Sequence, residues 1–239
     1  MQKRSFAVGV LVATAMIPVA CLAGAFQDLD FEQAQLVPST EGYGWGVVLT
    51  NAFPSWQATV NGSPTDFAIH NVVILDYNTV GIYDANAPGY MGHSPTFGRY
   101  SAYLESEYPL ADAELAQTGL IPSTAKSIWF ATTPFSLEPN PQAQPSDLLL
   151  KFEVNGQTIP YVAMDEEAGY TMWAADISAF KGTTSEIRFA LQDAVGVAVG
   201  LDDIAFSSQV VPEPGTLALV AVSVSLLGFA LRRARGGKR

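Results

Sequence analysis

Carboxylates and aromatic rings are the side chains in this sequence that could do chemistry. Asp202 and Asp203 stand together in the run Gly200-Leu-Asp-Asp-Ile-Ala-Phe206, and Asp28, Asp30 and Glu32 alternate near the start of the body. Alternate positions on a strand share a face. If Ile204 and Phe206 face a core, alternation puts Asp202 on the same inward side. A buried carboxylate needs hydrogen-bond donors or a cation. Calcium prefers such oxygen ligands, which makes Asp28, Asp30, Asp202 and Asp203 a candidate calcium set, provided the first and last strands are neighbours. The competing reading places Asp202 at a frayed strand start, bonded to backbone N–H groups or to Arg188.

The segment from Gly81 to Tyr100 carries Tyr83, Tyr90, Phe97 and Tyr100 among Gly and Pro, with Asn86 and His93. Aromatic faces stack on the apolar faces of sugar rings while polar groups orient hydroxyls. Tyr83, Tyr90, His93 and Tyr100 are therefore the candidate ligand set. Tyr43-Gly44-Trp45 and Trp56 have the same potential, although aromatics in a β-sandwich also serve core and loop packing. Trp129 and Trp173 lie in apolar, strand-like runs and are expected in the core.

No catalytic residue is assigned. His70 and His93 are the only histidines, with no HExxH pattern and no Gly-x-Ser-x-Gly elbow. The one cysteine, Cys21, falls in the leader, so a mature body has no thiol nucleophile, disulfide or cysteine zinc site. Glu105 and Glu107 share a strand face, and paired carboxylates can serve a glycosidase, but no opposing pair is evident. The chain reads as a non-enzyme, with a polysaccharide-active hydrolase using acidic residues as the alternative.

The elements that must position these groups are short and alternating. Leu148 to Val154 ends at Asn155-Gly156, and Gln157 to Ala163 follows, a hairpin with a type I′ turn. Ser185 to Leu191 puts Ile187, Phe189 and Leu191 on one face. Further strands are expected at 47–49, 71–75, 99–104, 127–131 and 200–206, and Leu110 to Gln117 could make two helical turns. Short strands broken by Gly, Pro and Asn argue for an all-β, antiparallel β-sandwich.

Charge is segregated. Every acidic residue except Glu213 lies between Asp28 and Asp203, balanced there only by Arg99, Lys126, Lys151, Lys181 and Arg188. So acidic a body repels nucleic acid and anionic lipid. The ends differ. Lys3 and Arg4, an apolar run from Phe6 to Val19, and Ala23-Gly24-Ala25 make a secretory signal cut before Phe26. Val211-Pro212-Glu213-Pro214-Gly215 precedes an apolar stretch from Thr216 to Leu231 and then Arg232, Arg233 and Arg235. As a helix that stretch spans about 24 Å, short of the roughly 30 Å hydrocarbon core, so it is a marginal anchor. Its terminal arginines favour the cytoplasmic side, which leaves the acidic body outside. The expected divisions are a signal peptide over 1–25, a sandwich over 26–207, a linker over 208–215, and a transmembrane helix with basic tail over 216–239.

The order Pro212-Glu213-Pro214, apolar helix, arginine cluster resembles the PEP-CTERM sorting domain. That resemblance implies export by a Gram-negative bacterium that makes extracellular polysaccharide. It further implies recognition and removal of the tail by the membrane protease-transpeptidase exosortase, with Pro212, Glu213, Pro214, Arg232, Arg233 and Arg235 as the sorting residues. The partners implied are the export machinery, signal peptidase, exosortase, the membrane through the C-terminal helix, and extracellular polysaccharide. The body resembles the jelly roll of carbohydrate-binding modules, which begins with a strand like Leu29-Asp-Phe-Glu32 and ends with one like Leu201 to Phe206. The resemblance implies a structural or adhesive protein of the cell surface or biofilm matrix that binds carbohydrate.

Overall fold

A computed structural model describes residues 24–72, 77–87, 95–106, 112–136, 150–167, 169–192 and 196–211. The leader up to residue 23, Tyr90, His93, Glu107, and the tail from Pro212 through Arg232, Arg233 and Arg235 lie outside them.

Two sheets pack face to face. One runs, in spatial order, β1 (Gly46–Val48), β4 (Phe67–His70), β5 (Thr79–Asp84), β6 (Tyr100–Ser106), β14 (Val197–Ser207), β8 (Ser127–Ser136), β12 (Tyr170–Asp176), β11 (Tyr161–Glu167). The other runs β10 (Gln157–Thr158), β9 (Leu150–Val154), β13 (Thr184–Gln192), β7 (Asp112–Leu120), β2 (Gln57–Val60), β3 (Ser63–Thr65). Among the described residues β4–β5 is the only parallel pair of strands. The expected all-β sandwich is the observed architecture.

Alternation builds the core between the sheets. Ile187, Phe189 and Leu191 of β13 are fully buried, as their period-two spacing predicts. Phe189 meets Phe130 of β8 and Phe152 of β9, each at 5.1 Å between ring centroids. The Asn155-Gly156 turn has φ of 51° and 74°, both left-handed, as a type I′ hairpin requires. Asn61-Gly62, with φ of 53° and 70°, makes the same turn between β2 and β3.

Four expectations need correction. Residues 112–120 form strand β7, not helical turns, because pairing with β13 and β2 and burial of Ala113 and Leu115 outweigh local helix propensity. Leu29 to Glu32 is a turn, not a strand: Phe31 N–H reaches Asp28 O, and both residues have positive φ. Trp129 is half-buried on the outer face of the larger sheet, whereas Trp173 is in the core as expected. Strict alternation also fails in the last strand, where a bulge adds a residue between Asp202 and Ala205. Leu201 and Ile204 both enter the core, while Asp202 is buried on the opposite face.

Among the described residues no helix is long and apolar enough to cross a membrane; the expected 216–231 helix lies outside them.

Candidate functional site

Two regions gather the residues singled out by the sequence, and their environments differ. The first is an acidic junction where the opening turn meets the last strand. Leu29 O accepts the Ile204 N–H at 3.0 Å, which makes the chain's beginning and end neighbours even though the beginning is not a strand. Asp202 takes the N–H of Phe97 at 2.9 Å and of Asp203 at 2.7 Å. Glu32 Oε1 takes the N–H groups of Arg99 and Tyr100 at 2.7 and 2.9 Å. The loop before β6 is thus pinned by two carboxylates. Gly98 between them has φ +56°, and a Cβ there would stand 2.2 Å from Glu32 Oε1.

Burial dominates the electrostatics of this junction. It pushes the Asp202 carboxyl up to about 7 against the two N–H donors, with the Asp203 and Glu32 charges adding to the rise. Burial likewise raises Asp28 to about 6, opposed by the Gln33 N–H and reinforced by Asp30 and Glu32. Asp28 Oδ2 is buried without a hydrogen-bond partner. Among the described residues no three His, Cys, Asp or Glu side chains converge as a metal-holding group. Of the two readings left open for Asp202, backbone N–H donors are the ones observed, and Arg188 pairs instead with Glu114 and Glu186.

The described members of the expected ligand set are interior. Tyr83 is 2 % exposed and stacks on Tyr103 at 4.4 Å; Tyr100 is 5 % exposed. Their faces are already covered by protein. Trp56 is also core, its Nε1–H donating to Asp28 O at 3.0 Å. Glu105, considered for hydrolysis, is fully buried and accepts the Thr79 hydroxyl at 2.6 Å.

The second region is an exposed aromatic rim. Tyr43, Trp45 and Tyr77 are 72 %, 55 % and 50 % exposed, and they are the only exposed aromatic residues among those described. Gly42, Tyr43 and Gly44 all have positive φ, at 74°, 55° and 89°. Two glycines make that path accessible, and Tyr43 carries the mild strain of a non-glycine residue in the left-handed region. Trp45 follows, its N–H bonded to Gly42 O and its carbonyl accepting the His70 N–H at 2.9 Å. Tyr43 and Tyr77 rings lie 5.5 Å apart, and the hydrogen bond between their hydroxyls raises the Tyr43 phenol pKa.

Beside Trp45 lies a recess of about 410 Å³ lined by Leu36, Pro38, Val47, His70 and the Gly44–Gly46 segment. Burial lowers the His70 pKa, partly offset by the charge of Asp84, so the imidazole is neutral at pH 7. A flat indole beside a neutral polar ring, open to solvent, can hold an uncharged ring-shaped ligand. Sequence reading named Tyr43-Gly44-Trp45 but missed Tyr77 and His70; the interleaved glycines around Tyr43 were the available signal.

Comparison with known proteins bears on the ends and the fold. Residues 210–235 match the PEP-CTERM protein-sorting motif. No curated protein matches the chain. Among solved structures, TmCBM61 in complex with β-1,4-galactotriose is similar at 12 % identity and a TM-score of 0.39, covering 78 % of this chain and 99 % of that one. The enzymatically active domain of bacteriophage CBA120 tailspike protein 4 is similar at 16 % identity and a TM-score of 0.32, covering 64 % of this chain and 19 % of that one. Likenesses this distant do not speak to a ligand. The tail does carry meaning: with the PEP-CTERM sorting motif at residues 210–235, this is an exported, envelope-associated protein.

Proposed function

We propose that the exported sandwich is a non-catalytic, surface-held carbohydrate-binding domain that engages extracellular polysaccharide through the Tyr43–Trp45–Tyr77 rim. One observation carries the reading: of the three exposed aromatic residues of the described body, Tyr43 and Tyr77 have rings 5.5 Å apart, and Trp45, two residues after Tyr43, borders a recess with a neutral histidine. Singly scattered exposed apolar residues need no explanation, whereas a contiguous aromatic patch marks a binding surface. The acidic body excludes polyanions by charge, so the ligand is an uncharged polysaccharide. The tail supplies the location. A leader cut before Phe26 and a tail recognised by exosortase leave the domain tethered through its last strand, with the rim on the far edge of the larger sheet.

Affinity electrophoresis against a panel of neutral polysaccharides, β-1,4-galactan among them, tests the reading. Retardation is expected for at least one member. Trp45→Ala should weaken it by about tenfold or more, equivalent to about 1.4 kcal/mol. Because Trp45 is mostly solvent-exposed, the same change should leave the urea midpoint within about 0.5 kcal/mol of the parent. Retardation that survives loss of both Trp45 and Tyr43 would refute the rim as the site.

A further inference from the structure

Trp129 occupies an unusual position for an indole in this body. On β8, Ile128 and Phe130 enter the core, and Trp129 stands on the opposite face. Its partners across both neighbouring ladders are alanines, Ala205 on β14 and Ala174 on β12. Residues this small leave the ring standing above a low floor rather than wedged between side chains. Its Nε1–H donates to Ser127 Oγ at 3.0 Å, which fixes the ring's orientation.

The bulge completes the arrangement. With Asp203 at φ 47°, the extra residue leaves Asp203 exposed next to Asp202, which is buried on the face away from the core, the re-aiming that bulges produce. Around Trp129 lies a recess of about 270 Å³, whose other walls are Met172, Asp203, Ala205, Ser207 and Gln209. It offers one aromatic surface, one sulfur-containing apolar side chain, a carboxylate and an exposed amide. That combination suits a pyranose ring: its apolar face lies on the indole, and its hydroxyls or amine meet Asp203 and Gln209.

We propose that this recess is a second saccharide subsite, taking a single neutral or amine-bearing pyranose and rejecting uronates. The only charge in the lining is the Asp203 carboxylate, which attracts an ammonium group, accepts from hydroxyls and repels a sugar acid. The proposal rests on the carbohydrate reading of the domain, but not on the Trp45 rim. In the larger sheet β8, which carries Trp129, lies five strands from β1, and at about 4.8 Å per strand the two sites are roughly 24 Å apart. Two sites at that separation allow one polysaccharide chain to be gripped twice or two chains to be bridged.

The test uses the full chain in detergent, labelled with 5-fluorotryptophan, its fluorine resonances assigned by single Trp→Phe changes. Glucosamine, N-acetylglucosamine and glucuronate are titrated separately. The Trp129 resonance is expected to shift and saturate with the first two sugars, with at least tenfold weaker response to glucuronate. Asp203→Asn should weaken glucosamine several-fold more than N-acetylglucosamine, while Trp45→Phe leaves the Trp129 response intact. A Trp45 resonance that moves while Trp129 stays still with all three sugars overturns this subsite and spares the rim. If neither moves, the subsite falls together with the carbohydrate reading. An equal response to glucuronate overturns the assigned chemistry.

Discussion

Replacing Gly81 with alanine should destabilise the domain by about 3 kcal/mol, the upper end of what overpacking usually costs. Gly81 on β5 faces Tyr103 on β6 across the ladder. A Cβ at Gly81 would stand 1.9 Å from Tyr103 Cζ and 2.2 Å from its hydroxyl, far inside contact distance. Tyr103 cannot swing away. Its ring stacks on Tyr83 at 4.4 Å, and its hydroxyl donates to the carbonyls of Val72 and Ile69. An aromatic ring laid over a strand glycine compensates for the missing side chain, and the two residues act as a unit. Urea unfolding of a double-mutant cycle checks this. Gly81→Ala/Tyr103→Ala should be less destabilised than the sum of the single changes, since removing the ring removes the clash. Additive losses would show that the ring does not depend on the glycine. The consequence reaches the rim, because Tyr103 holds the carbonyls flanking His70, and His70 N–H is bonded to Trp45.

Tyr103 and Gly81 also show where sequence reading stops. Period-two alternation identifies β13, β9 and the Asn155-Gly156 hairpin, because there one face is apolar and the turn residues are strong. Asn61-Gly62 has the same turn chemistry yet escapes notice, since Ser63-Pro64-Thr65 after it lacks an apolar face. Residues 112–120 mislead because Ala, Glu and Leu favour helices locally, and only the two flanking strands decide otherwise. At the junction the chain's two ends do meet, through the Ile204 N–H on Leu29 O and not through a pair of strands, and the bulge that turns Asp202 to the outer face has no signature in Leu-Asp-Asp-Ile. The aromatic sites are the hardest. Whether a tyrosine is a platform or packing depends on what covers it, and nothing in Gly81 to Tyr100 distinguishes Tyr83, stacked inside, from Tyr43, held outside by glycines. Trp129 sits in an apolar run and so reads as core. Its exposure arises from alanines on strands distant in sequence.

The acidic junction should make the protein more stable at pH 5 than at pH 8. In the folded chain Asp202 and Asp28 keep their protons to about 7 and about 6, against 3.8 for the ordinary carboxyl. Between those values the folded state binds more protons than the unfolded one, so stability falls as pH rises through roughly 4 to 7. The groups around these carboxyls act in the same direction: Asp203, Glu32 and Asp30 are all acidic, and no basic side chain offsets the burial. Asp84 works the other way. Burial raises its pKa, but Arg99 and the Asn86 N–H more than offset this and hold it below its ordinary value; its contribution fades only at more acidic pH. Each pKa unit corresponds to about 1.4 kcal/mol. Allowing for relaxation and water around a partly open junction, a net loss of roughly 2–4 kcal/mol from pH 5 to pH 8 is expected, read as urea midpoints in chelator. Asp202→Asn should flatten that slope by about half. Its absolute stability is a poorer guide, since the amide presents an N–H toward a backbone donor. A slope unchanged in Asp202→Asn would mean that this carboxyl is not the group that titrates. Calcium provides the competing counter-charge. If Asp28, Asp30, Asp202 and Asp203 hold a cation after small movements, adding calcium at pH 8 should restore what the proton supplies at pH 5, and chelator should abolish the gain. No shift with either removes calcium and leaves the proton as the partner of the buried acids.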